Sequence, residues 1–228
     1  MSSSPHEKIL NIPENWTFKN PEVAQAFDRH VREQLPWYDI ATGIVSHVAR
    51  HYVPENGTVI DVGASTGNVG RAIAPTLAAR NARLIAIDNA ADMADRYDAP
   101  GEMLISDVQS FDFQPFKPDL IVAFLALMFV PVAERAGVVR QMVNAIQPGG
   151  AVLVFDKMAA RAGHIGSVIY RLTLAAKYEN GAPADEIIQK ELSLAGVQRP
   201  MTEAELPGFD PLFRFGDFAG FIYERPAI

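Results

Sequence analysis

The sequence predicts an α/β fold: a doubly wound, mainly parallel sheet of seven strands that ends in a C-terminal antiparallel hairpin and carries added helices. Three observations predict it. Between residues 57 and 157, short β-branched runs alternate with amphipathic segments, the pattern of a parallel sheet wrapped by helices. The runs are nearly continuous in hydrophobicity, as in strands covered on both faces. The tail FDPLFRFGDFAGFIYER reads as two strands around a Gly-Asp turn.

The elements follow in order. Pro21 to Gln34 has a helical spacing, with Val23, Ala26, Phe27 and Val31 on one face, and Tyr38 to Tyr52 repeats it. GTVIDV is a first strand, Gly67 to Ala79 a helix and RLIAID a second strand. Asn89 to Tyr97 reads as a short helix, EMLISD as a third strand and DLIVAFL as a fourth. Val132 to Ile146 is helical and stops at Gln147-Pro148-Gly149-Gly150, before the fifth strand AVLVFD. Ala160 to Tyr178 and Ala184 to Leu194 are helical, separated by ENGAP.

Composition bounds the function. With 228 residues, 49% hydrophobic and 21% charged, the chain can bury a sizeable core. It has no cysteine, which removes disulfides, thiolate zinc sites and thiol nucleophiles and fits a reducing, cytoplasmic compartment. MSSSPHEKIL lacks the basic segment and apolar core of a secretory signal. The longest apolar run, Leu120 to Ala133, is short for a membrane span and contains a proline. No membrane association is expected. The net charge of −7 argues against a general nucleic-acid-binding surface.

The residues VIDVGASTGNVG, 59 to 70, carry the chemistry. A phosphate-binding P-loop needs Lys and Ser/Thr after its last glycine, and here Asn68-Val69 and Arg71-Ala72 follow the glycines instead. A dinucleotide fingerprint needs a middle glycine, and Ser65 stands there. Asp61, two residues before Gly63, ends the first strand, where open α/β sheets bind ligands. Its charge repels a pyrophosphate and suits a cationic ligand. Gly63, Ala64 and Ser65 let a ligand approach the backbone, and Gly67 opens the next helix. Asp88 ends the second strand and can accept both hydroxyls of an unphosphorylated ribose. Asp107-Val108 ends the third and can read an adenine. Phe124 ends the fourth, beside the cofactor. An amino acid, a ribose and an adenine without phosphate describe S-adenosyl-L-methionine (SAM).

With these motifs the chain resembles the class I SAM-dependent methyltransferases, whose fold is a Rossmann-like sheet. VIDVGASTG is similar to their first motif, LIAIDN to the ribose motif and ISDVQSF to the adenine motif. WTFKNPEVAQAF, LPWYDI, IAIDNAADM, FVPVAER…IQPGGAVLVFDK and KYENGAPADEIIQKE are similar to carboxy-SAM synthases. That family makes carboxylated SAM from SAM and prephenate for modification of a tRNA wobble uridine. The resemblance implies that Tyr38 reaches over the cofactor. It places Gly63, Ala64 and Ser65 at the methionine end, Asp88 and Asn89 at the ribose, and Asp107 and Val108 at the adenine. The chain departs from the family at Phe124, where an asparagine is usual, and in MTEAELPGF, which lacks the arginine that pairs with the extra carboxylate. Arg199, Arg171 and Lys177 are the candidates to take that arginine's place.

The expected organisation is one SAM-binding domain over residues 1–228, with 1–52 as an N-terminal helical lid and 157–206 as a helical cap or dimerisation insertion. The apolar residues Ile165, Val168, Ile169, Leu172 and Leu174 suit a cap over the pocket or a dimer surface, and the family resemblance implies a homodimer. The expected activity is methyl transfer from SAM to a small-molecule or RNA acceptor. Carboxy-SAM formation is the alternative, and non-catalytic SAM binding a third reading. Positioning supplies much of the rate of such a transfer. His164, eight residues after the fifth strand, is the first candidate base. His47 and His51, one turn apart, would need a further ligand to hold a metal, and no metal is expected.

Overall fold

The computed structural model describes residue 17 and residues 21–160 and 163–227. MSSSPHEKIL and the residues Trp16 and Phe18 to Asn20 of WTFKNPEVAQAF lie outside them. Seven strands form one sheet: β1 (Thr58–Val62), β2 (Arg83–Asp88), β3 (Glu102–Ile105), β4 (Leu120–Phe124), β5 (Ala151–Lys157), β6 (Asp210–Phe215) and β7 (Phe218–Glu224). Their order is β3-β2-β1-β4-β5-β7-β6. The first five are parallel, β7 runs antiparallel to β5, and β6 closes the hairpin against β7. The fold class expected from the sequence is the one observed.

The β-branched runs became the centre of the sheet because both faces are covered. Every residue of β1, β4 and β5 is buried. Strand side chains alternate between faces, and so does the core. Val59, Leu120, Val122 and Leu153 pack with Val45 and Val48 of α2 (Tyr38–Tyr52) and Ile73 and Leu77 of α3 (Asn68–Ala79). Ile60, Ile121, Val152 and Val154 pack with Val138 and Met142 of a helix spanning Val132–Ala145 on the other face. The strand order reverses between β1 and β4, the switch point where such sheets hold ligands.

The larger departures from the expected boundaries are at the helix after β2, at β3 and at the helix after β5. The helix expected over Asn89–Tyr97 is one turn, α4 (Ala91–Ala94). After it the chain turns so that Tyr97 and Ala99 cover Gly67 and Gly70. The third strand stops at Ile105, whose side chain is 62% exposed at the edge of the sheet. With α5 assigned to Val132–Ala145, the two later helices are α6 (His164–Glu179) and α7 (Ala184–Ser193). The former starts four residues later than expected, and 161–162 lie outside the described residues. On α6, Ile165, Val168 and Leu172 are exposed.

Within the N-terminal segment, α2 is a core layer: Ala41, Val45 and Ala49 have no exposed surface. The helix before it, α1 (Pro21–Gln34), reaches across the strand ends. Asp28 on α1 accepts hydrogen bonds from Thr66 Oγ1, Asn68 Nδ2 and Arg71 Nη2 at 2.5, 2.7 and 2.6 Å. One carboxylate thus pins α1 onto the loop that follows β1. No helix among the described residues is long and apolar enough to cross a membrane.

Candidate active site

A cavity of about 220 Å³ opens at the carboxyl ends of β1, β2 and β4, roofed by α1, α6 and α7. Its first wall is the loop after β1. Gly63 has φ +71°, and a Cβ there would stand 2.6 Å from the Cβ of Ala126. Only glycine satisfies both demands. The N–H groups of Gly63 and Ala64 donate to the carbonyl of Ile87 at 2.9 and 3.0 Å, which ties the loop to β2. Ser65 is held at φ +52° and Leu125, just after β4, at φ +57°. Both line the cavity. Non-glycine residues in this region cost of order 1–3 kcal/mol each and collect at functional sites.

Tyr38, Gly63, Ala64, Ser65, Asp88 and Asn89 line the cavity, as do Val108 and Phe124. Asp88 accepts the N–H groups of Ser65 and Ala90, both at 2.8 Å. Burial raises its carboxyl, and these backbone donors oppose the rise. The Tyr38 ring meets Phe124 edge to face at 5.4 Å and carries the Arg32 guanidinium at 5.3 Å. Tyr38 is only 4% exposed, so it serves the core and the cavity together.

Four of the residues singled out from the sequence do not reach the wall. Gly67 caps α3 at φ +94° and faces Tyr97 and Ala99, so its lack of a side chain serves packing. Asp107 is exposed at the rim and accepts a hydrogen bond from Asn89 Nδ2 at 2.8 Å, because β3 ends two residues earlier. His164 is exposed at the start of α6, away from the cavity lining. Asp61 points into the core behind the loop, with no exposed surface. Neither of its oxygens has a hydrogen-bond partner among the described residues. Burial and the neighbouring Asp88 charge push its carboxyl up to about 8.

The opposite end of the cavity is cationic. Lys157 ends β5, Lys177 lies on α6, and Lys190 and Glu191 lie on α7. Lys177 Nζ is 2.6 Å from Glu191 Oε1, and Lys157 Nζ is 3.7 Å from Glu191 Oε2. Lys157 also donates to Gln198 Oε1 at 3.0 Å and lies 3.7 Å from Asp217. Burial pushes the Glu191 carboxyl up, but Lys177 and Lys157 win and hold it below the usual range. Of these, the sequence reading reached only Lys177. A signal was present: Ile187, Lys190, Glu191 and Leu194 fall at the i, i+3, i+4, i+7 spacing of an inner helix face. Charges on that face point into the protein. Arg171 and Arg199 are both exposed and lie outside the cavity wall.

Residues 59–150 match the methyltransferase domain family. Over 224 residues the chain is 30% identical to carboxy-S-adenosyl-L-methionine synthase of Staphylococcus epidermidis, covering 92% of this chain and 97% of that one. The chain belongs to the carboxy-SAM synthase family. The family member from Wolinella succinogenes is 28% identical over 220 residues, 89% of this chain and 91% of that protein. Solved structures share the fold of this carboxy-SAM synthase family member. One is a SAM-dependent methyltransferase of Methanococcus maripaludis, with TM-score 0.55 and 15% identity over 94% of this chain and 97% of that one. Another is an O-methyltransferase family protein of Burkholderia thailandensis, with TM-score 0.61 and 14% identity over 91% of this chain and 61% of that one. The chain therefore has the fold of a SAM-dependent enzyme of one-carbon transfer. The domain match spans β1 to the turn after α5, and the cationic end lies beyond it.

Proposed function

We propose that this chain transfers the methyl group of SAM to an acceptor held at the lysine-lined end of the cavity. The residues present fit SAM. Asp88 is an acidic strand end at the cavity, and the loop after β1 carries no lysine. This is an environment for a cationic ligand and a poor one for a phosphate. When bound, SAM supplies an electrophilic methyl carbon on a positively charged sulfur.

The protein's own groups hold and orient. Asp88 and Asn89 take the ribose hydroxyls, Val108 meets the adenine, and the backbone of residues 63–65 bears the amino-acid end. Phe124 and Leu125 press on the cofactor from the end of β4, and the rings of Tyr38 and Phe124 keep water out. Holding the reacting atoms in line is the main requirement of such a transfer.

Glu191 carries the choice of methyl transfer. Its carboxylate already lies between Lys177 and Lys157, so the cations that a carboxylated ligand would need are engaged within the protein. The alternative, formation of carboxylated SAM from SAM and prephenate, is supported by the 30% identity to carboxy-SAM synthase along nearly the whole chain. Mass spectrometry of the protein incubated with SAM, with and without prephenate, separates the two. S-adenosylhomocysteine formed only with an added acceptor supports methyl transfer. A product heavier than SAM by a carboxylate, formed only with prephenate, overturns it in favour of the alternative.

A further inference from the structure

Lys190 Nζ on α7 lies 2.7 Å from His30 Nε2 on α1, and both side chains line the cavity. Two basic nitrogens at that distance share a hydrogen bond in which one must accept. Protonating both would set two positive charges in contact in a desolvated place. Among the described residues, the charged groups around the pair are Lys177 on α6, Glu191 next along α7, and Arg29 on α1. Lys157 stands behind Glu191. Burial and Lys177 lower the Lys190 ammonium from 10.5 to about 7, against the pull of Glu191. Burial, with Lys190, Lys177 and Arg29, lowers His30 to about 4. Near neutral pH the pair holds about one proton or none.

We propose that the Lys190–His30 pair is the proton acceptor of this cavity and that its substrate is a hydroxyl-bearing acceptor. The inference rests on the methyl-transfer reading above. The acceptor oxygen bonds to the methyl carbon, the carbon–sulfur bond breaks, and its electron pair stays on sulfur. The hydroxyl proton passes to the neutral amine of Lys190. The resulting ammonium donates to His30 Nε2, which fixes its direction, and no other reactant is consumed. A hydroxyl is favoured over an amine because most amines are cationic near neutral pH, and Lys157 and Lys177 would repel one. Phe129, Leu194 and Phe218 give the same end of the cavity an apolar lining for the acceptor's body.

The test reads the pair first without cofactor. Histidine-labelled full-length protein is titrated by NMR, with His30 assigned by its loss in His30→Gln. The expected result is a neutral His30 ring above pH 5 whose shifts report a second inflection near pH 7. That inflection should vanish in Lys190→Met and in Lys190→Arg. A His30 ring that titrates near its ordinary value, or shows no inflection near pH 7, overturns the pair. The second arm uses 4-nitrophenol as hydroxyl probe with SAM and measures the methyl ether by mass spectrometry. The wild-type rate should rise with pH through the same inflection, and Lys190→Met should be slower by about 10²-fold or more. Equal rates in wild type and Lys190→Met, or no ether from either, overturn the assignment to a hydroxyl acceptor. Calorimetry with SAM separates this from the reading it rests on: absence of SAM binding ends the proposed function, whereas the titration of the pair stands or falls without SAM.

Discussion

Asp88 Oδ2 accepts the backbone N–H of Ser65 at 2.8 Å, across the gap between β2 and the loop after β1. The bond ties a strand end to a residue held at φ +52°. The other oxygen of Asp88 accepts from Ala90 at 2.8 Å. The carboxylate therefore shapes the loop and faces the cavity at once.

Asp88→Ala removes both roles. SAM affinity, measured by calorimetry, should fall by about 2–4 kcal/mol, the scale of two charge-assisted hydrogen bonds. The protein without ligand should lose about 1–3 kcal/mol, because two backbone N–H groups lose their acceptor. Asp88→Asn keeps one acceptor oxygen and should recover part of both. An unchanged affinity in Asp88→Ala would remove the ribose assignment.

Asp61 predicts an unusual pH dependence. Its folded-state pKa is raised from 3.8 to about 8. Between those values the unfolded chain has released the proton that the folded chain keeps, so this group makes stability fall as pH rises. The slope is at most about 1.4 kcal/mol per pH unit for one proton. Asp61→Asn should therefore melt higher than wild type at pH 8, with the difference vanishing below pH 4. Urea melts of both proteins across that range give the comparison. A wild type that gains on Asp61→Asn as pH rises would contradict an unpartnered carboxylate at this position.

Tyr38 separates lid from core. A mobile lid residue would lower SAM affinity on truncation and leave the ligand-free melting temperature alone. The ring is 4% exposed and packs edge to face on Phe124. Tyr38→Ala should then cost about 3–5 kcal/mol in the absence of ligand, and Tyr38→Phe should cost little in either state. Thermal denaturation with and without SAM checks both. An unshifted ligand-free melting temperature for Tyr38→Ala would return the residue to a lid.

The sheet was legible because β-branched runs, glycine loops and the Gly-Asp turn are local signals. Asp61, Asp88 and Asp107 shared one sequence signal, an acid at a strand end, yet three different places resulted. Asp88 faces the cavity, Asp61 the core and Asp107 the rim. Strand parity and the early end of β3 decide among them, and boundaries of one or two residues are the least legible part of a sequence. His164 lies outside the cavity wall for a related reason. A helix start near a strand end says nothing about which way the first turn faces. The cationic end was hidden because its members come from β5, α6 and α7, and the packing of two helices against each other leaves only a weak inner-face pattern.

Glu191 gives the last prediction. The Lys177 side chain is 7% exposed and that of Glu191 17%, so their 2.6 Å contact is mostly shielded from water. Removing one partner of such a pair leaves a buried charge uncompensated, and Glu191→Gln should destabilise the protein by up to about 3 kcal/mol at pH 7. The sign with pH follows from the depressed Glu191 pKa. Its stabilisation is present above the unfolded value and is lost as pH falls through the folded one, so the difference from wild type should shrink below pH 4. Glutamine also takes the Glu191 carboxylate away from Lys177 and leaves Lys157 with Asp217. Prephenate should then bind about tenfold more tightly by calorimetry than it does to wild type, and the gain should fade with added salt. The same change removes the group that raises the Lys190 pKa, so the inflection of the Lys190–His30 pair should move to lower pH. If prephenate binds Glu191→Gln no better than wild type, Glu191 does not set the charge preference of the cavity, and the choice of methyl transfer over carboxy-SAM formation loses its support.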